Sequence, residues 1–109
     1  MSDEAKTDEP PKGLFNKVKQ GQLEEWNELY LGSPALKRTG NTTNWGTTLR
    51  CAVAAGWLKQ GEYIPAVNGT AESWKVDGVD VAEMDGWRVR QLAEWVDDIY
   101  DEAITIPKN

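Results

Sequence analysis

The stretch from Met84 to Ala103, MDGWRVRQLAEWVDDIYDEA, constrains this chain more than any other, because its apolar residues fall at helical spacing and its ends are marked. Trp87, Leu92, Trp95, Val96, Ile99 and Ala103 are expected to line one face of an amphipathic helix near 86–103. Asp85 stands where a side chain can accept hydrogen bonds from the free N–H groups of the first turn. Met84 before it can pack on Val89 as a hydrophobic staple. Ile106-Pro107 sets the other limit, since proline lacks an N–H and disfavours α geometry in the residue before it. The helix should stop by about Thr105.

Such a helix needs partners for its apolar face, and two further segments supply them. Gln22 to Leu31 places Leu23, Trp26, Leu29 and Tyr30 on one side and Glu24, Glu25, Asn27 and Glu28 on the other. A left-handed exit is expected at Gly32, with Pro34 preventing continuation. Trp45 to Gln60, WGTTLRCAVAAGWLKQ, reads as a helix capped by Thr43 or Asn44 and ended by Gly61. Its face of Leu49, Ala52, Val53, Gly56 and Trp57 has a small-residue centre, so it is expected to pack closely against the C-terminal helix.

The middle of the chain is harder to read. Asn68-Gly69 is the strongest short hairpin signal, flanked by 64–67 and 73–76. Pro65 lies inside the first flank and Thr70-Ala71-Glu72 separates the second, which favours a loop over a ladder. Trp74, Val76, Val79 and Val81 alternate around Asp77-Gly78 as a brief strand or an extended lead-in. Asp80 and Glu83 stand at capping-box spacing for a short helical turn. Residues 33–44 read as a polar loop of about twelve residues carrying Lys37-Arg38, either a functional or mobile loop or a plain connector. The expected architecture is mainly α: a small single-domain helical bundle over 13–109 with a loop-rich middle and room for a minor β element. Residues 1–12, charged and carrying Pro10-Pro11, are expected to be a disordered tail.

Composition narrows the function. The chain of 109 residues has no histidine, so the commonest general base and metal ligand is missing, and Ser–His, Cys–His and His-rich zinc sites are unavailable from it alone. Cys51 is the only cysteine, which excludes an intrachain disulfide; its alanine surroundings suggest inert burial. The spacing of the acids does not fit a calcium loop, and the glycines form no phosphate-cradling motif. No cofactor or metal is expected. The N-terminus is not a signal peptide and no apolar run could cross a bilayer, so a cytoplasmic, non-membrane protein is expected.

Charge and tryptophan suggest what remains. Residues 1–60 carry eight Lys/Arg and seven Asp/Glu, whereas residues 61–109 carry four against eleven, and together they give the net charge of −6. An acidic half repels phosphate backbones, which disfavours nucleic acid as a partner. Asp97, Asp98, Asp101 and Glu102 crowd the C-terminal end of the last helix, where the macrodipole also disfavours them. Six Trp against one Phe is an unusual allocation that fits either a Trp-built core or an indole contact surface. The expected role is therefore non-enzymatic binding of another protein through Trp45, Trp74, Trp87, Asp97, Asp98, Asp101 and Glu102. Two alternatives stand beside it: an acidic inhibitor that mimics nucleic acid in a basic enzyme cleft, and an enzyme using a carboxylate pair alone.

The segments NTTNWGTTLRCAVAAGWL and VDVAEMDGWRVRQLAEWVDDIYDEAITIPKN, joined by a spacer, resemble small proteins of tailed-phage and prophage structural modules. In particular they resemble tail assembly chaperones, over about residues 41–109. That resemblance implies a mostly helical, non-enzymatic protein in the host cytoplasm that holds an aggregation-prone structural partner, such as a tape-measure protein, during assembly. It transfers no individual binding residue.

Overall fold

Three helices and a small antiparallel sheet enclose the core in the computed structural model, which describes residues 13–32 and 45–105. In chain order these are α1 (Gln20–Leu31), α2 (Trp45–Ala54), β1 (Gly61–Ile64), β2 (Ser73–Val76), β3 (Val79–Asp80), a 3-10 turn (Val81–Glu83) and α3 (Gly86–Ile104). The expected mainly α architecture with a minor β element is the one observed. The expectations for 1–12, for the connector 33–44 and for caps at Thr43 or Asn44 lie outside the described residues.

α1 and α2 are fastened to each other by two tryptophans. Trp26, on α1, donates its indole N–H to the Thr48 carbonyl of α2 at 3.2 Å. In the other direction Trp57, just past α2, donates to the Gln22 carbonyl of α1 at 3.2 Å. The two rings stack with centroids 5.9 Å apart, and Tyr100 of α3 closes the group at 5.3 Å from Trp26 and 6.5 Å from Trp57. Tyr30 also stacks on Trp26, with centroids 4.8 Å apart. A buried indole would otherwise leave its donor unmet, so each ring's position is fixed by packing and by direction together.

α2 is shorter than its periodicity suggests, ending at Ala54 rather than near Gln60. Gly56 adopts φ +80°, its N–H bonds the Val53 carbonyl, and the Trp57 N–H reaches back to Ala52. This is a Schellman closure with glycine at the left-handed position. Gly56 therefore ends the helix instead of providing a small face inside it, and Gly61 opens β1. The freed Gly56 carbonyl accepts from Asn16 Nδ2 at 2.8 Å and Gln22 Nε2 at 3.2 Å, which ties the exit to the segment before α1 and to the first turn of α1. The stretch before α1 adds a short bridge, Phe15 opposite Leu58. The expected close approach is met at Ala52, which is fully buried where α2 lies along α3.

The middle forms a true ladder, contrary to the loop expected there. β1 pairs with β2 from Gly61 opposite Val76 to Ile64 opposite Ser73, and β2 pairs with β3. Pro65 does not interrupt it, because the strand ends one residue earlier and the missing N–H is not needed. Asn68-Gly69 lies at the tip of the long connection, between the bridged residues Val67 and Thr70. The tight two-residue hairpin is instead Asp77-Gly78, both at positive φ (53° and 81°), as a twisted hairpin of this type requires. Asp80 caps the turn that follows by accepting from the Ala82 N–H at 2.9 Å, in line with its expected capping role.

Three details of the ends differ from expectation. Gly32 has φ −86°, so the left-handed exit expected at that residue is not adopted there. Asp85 occupies the cap position of α3, yet its side chain makes no capping bond; its carbonyl accepts from Arg88 and Val89. Trp87 is 67% exposed, while Leu92, Trp95 and Val96 are buried. The reason is angular: five residues separate Trp87 from Leu92, a rotation of about 140° around the helix. Ala103 is exposed as well, in the last turn.

Trp57→Ala, which removes a fully buried ring and one of the two interhelical indole bonds, is expected to lower stability by about 3–5 kcal/mol. Trp87→Ala should stay within about 0.5 kcal/mol of the parent. Urea unfolding followed by circular dichroism distinguishes the two.

Candidate functional site

The candidate contact residues fall in three places. Trp45 opens α2, half-buried, with the Arg90 guanidinium 5.5 Å over its ring, and Arg90 Nε also meets Glu94 at 3.1 Å. Trp74 sits in β2, half-buried, 5.7 Å from its cross-strand neighbour Tyr63 and 5.3 Å below the Arg50 guanidinium. Both indoles are thus occupied by an arginine of this chain, and the stacking makes them parts of the surface framework. Trp87 alone among the candidate tryptophans projects into solvent.

Asp97, Asp98, Asp101 and Glu102 are all exposed on the last turns of α3. They lie within about 80° of Trp87 around the helix axis, on its outward stripe, and roughly 15–22 Å away along it. The structure therefore puts the indole and the acids on one side of α3 without bringing them into one patch. Asp97 titrates above the ordinary aspartate range, first because protein crowds its carboxyl and then because Asp101, Asp98 and Glu94 repel its charge. The Cys51 thiol, buried, is pushed up to about 12 by loss of solvent, only partly offset by Arg50. At neutral pH it is a protonated, unreactive group.

Around Trp87 the structure shows a feature that periodicity did not. A shallow groove of about 400 Å³ runs between the β2–β3 turn and the start of α3. Its apolar lining is Val76, Val79, Met84 and Trp87; its charged lining is Asp77, Glu83 and Asp85 against the single cation Arg88. Val79 is 44% exposed there. The Asp77-Gly78 turn is the sequence signal that could have located it, because that turn folds Val79 back towards the helix entry. On the other side of Trp87 a second shallow depression includes Gly86, Arg90, Gln91 and Glu94. Trp87 forms the ridge between them.

Among the described residues no group of three or more Cys, Asp and Glu is arranged to hold a metal ion, and no helix is long and apolar enough to cross a membrane. No family model matches the chain, and no curated protein or solved structure matches it either.

Asp97→Asn tests the acid crowding. Because the folded chain holds this proton more tightly than the unfolded one, the penalty is absent below the ordinary aspartate value. It grows as pH rises and is complete above the folded value. The substitution should therefore raise stability at neutral pH by about 0.2–0.5 kcal/mol for each like-charge neighbour relieved. The gain should vanish below about pH 4 in matched urea titrations.

Proposed function

We propose that this chain is a non-enzymatic assembly or interaction protein that docks another protein on the outward side of α3, with Trp87 as the apolar anchor. The observation that carries this reading is the 67% exposure of Trp87 beside an apolar-floored, acid-rimmed groove. A large indole left mostly in water, while Trp26, Trp57 and Trp95 are buried, adds little to the core. At interfaces, by contrast, tryptophan is among the side chains that contribute most. The carboxylates of Asp97, Asp98, Asp101 and Glu102 continue the same stripe and favour a partner with basic side chains next to its apolar contact. The resemblance to tail assembly chaperones gives the reading its form: a structural partner held in the host cytoplasm until it assembles.

Capture from an extract of the native cell, run in parallel with wild type and Trp87→Ala, tests this. A protein retained by the wild-type chain in about 0.5 M salt, where exposed charges are strongly screened, and lost about tenfold or more with Trp87→Ala supports it. Retention untouched by Trp87→Ala, or a bound fraction of nucleic acid alone, contradicts it. Retention of a basic enzyme that collapses with salt and with Asp97/Asp101 charge reversal, while Trp87→Ala has no effect, would point to the nucleic-acid mimic instead.

A further inference from the structure

Asn68-Gly69 is absorbed by neither the fold nor the docking reading, and its surroundings are chemically specific. Both residues are exposed at the tip of the β1–β2 connection. The turn is closed by its flanks: the Thr70 N–H donates to the Val67 carbonyl at 2.6 Å and the Val67 N–H donates to Thr70 at 3.0 Å. Gly69's own N–H takes no part in those two closing bonds. Gly69 has φ +74°, and no atom of the rest of the chain comes within 4 Å of where a Cβ would stand. The carboxamide and the following nitrogen thus both belong to exposed residues, and no side chain at position 69 hinders the approach of one to the other.

We infer that Asn68 is a site of spontaneous deamidation in the folded chain. The Gly69 amide nitrogen attacks Asn68 Cγ, forming a five-membered imide; the Cγ–Nδ2 bond breaks and ammonia leaves with the proton of the attacking nitrogen. Water then opens the ring. Attack at Cγ gives aspartate, and attack at the main-chain carbonyl gives isoaspartate, which inserts a methylene into the backbone. Either product adds a carboxylate beside Val67, itself 63% exposed, and takes the formal charge from −6 to −7. The isoaspartate also breaks the Val67–Thr70 pairing. The ladder from Gly61–Val76 to Ile64–Ser73 lies outside that turn and keeps its register.

Asn16 and Asn27 are internal controls. Asn16 is followed by Lys17 and donates to Gly56; Asn27 is followed by Glu28 and pairs with Tyr100. The folded full-length chain is incubated at mildly alkaline pH and physiological temperature. It is then read by mass spectrometry of the tryptic peptides 13–17, 20–37 and 60–75, which carry Asn16, Asn27 and Asn68, and by isoaspartyl methyltransferase labelling. The expected result is conversion at Asn68 ahead of Asn16 and Asn27, with isoaspartate among the products. Asn68→Gln, which keeps an amide but cannot form the five-membered ring, should abolish the label with an unchanged circular dichroism spectrum. Aspartate at position 68 with no isoaspartate would overturn the inference. So would an unconverted Asn68 in the folded chain under conditions where the urea-unfolded chain converts.

Discussion

The fold depends on a reciprocal clamp: Trp26 of α1 donates to a carbonyl of α2, and Trp57 beyond α2 donates to a carbonyl of α1. A short helix alone is marginal in water, so α1 at 12 residues and α2 at 10 must be held by contacts with each other and with α3. Leucine would supply the burial but not the direction. An indole supplies both, since its donor has to point at an acceptor once the ring leaves water. Tyr100 lies against both rings, and its hydroxyl is 3.1–3.2 Å from the Asn27 side chain. That pairing joins α3 to α1, while most of the packing of α3 is against α2.

The face that α3 buries decides which side of it is left outside. Leu92, Trp95 and Val96 turn inward, so Trp87 and the terminal carboxylates must turn outward. The small sheet then matters because its last turn brings Val79 next to the exposed indole. Trp45 and Trp74 are stacked under Arg90 and Arg50, which holds those rings against the domain. Of the three candidate tryptophans, Trp87 is the one that stands furthest into solvent. The Arg50 Nε is buried without a hydrogen-bond partner, and the guanidinium's position over Trp74 is the compensating interaction seen there.

Much of this was legible in the residues. The three helices were found because period and end signals agree, and α3 starts and stops within a residue of expectation. The errors have specific causes. Alanine-rich sequence hid the end of α2, since composition continues to Leu58 while a left-handed glycine at 56 has already turned the chain. Pro65 obscured β1, because a proline immediately after a strand looks the same in sequence as one inside it. Asn68-Gly69 outweighed Asp77-Gly78 as a hairpin signal, although the latter makes the tight turn. For the candidate site, the exposure of Trp87 follows from counting angle rather than spacing. The occupation of Trp45 and Trp74 by arginines distant in sequence depends on tertiary structure that no local pattern encodes.

The most direct test of the clamp is hydrogen exchange at the individual indole N–H groups, followed by NMR. If Trp26 and Trp57 hold α1 and α2 together, their indole protons exchange only through global unfolding, with protection equal to the free energy from denaturant titration. The Trp87 indole, exposed on α3, exchanges freely on the same sample. Exchange of the Trp57 indole as fast as that of Trp87 would contradict the account.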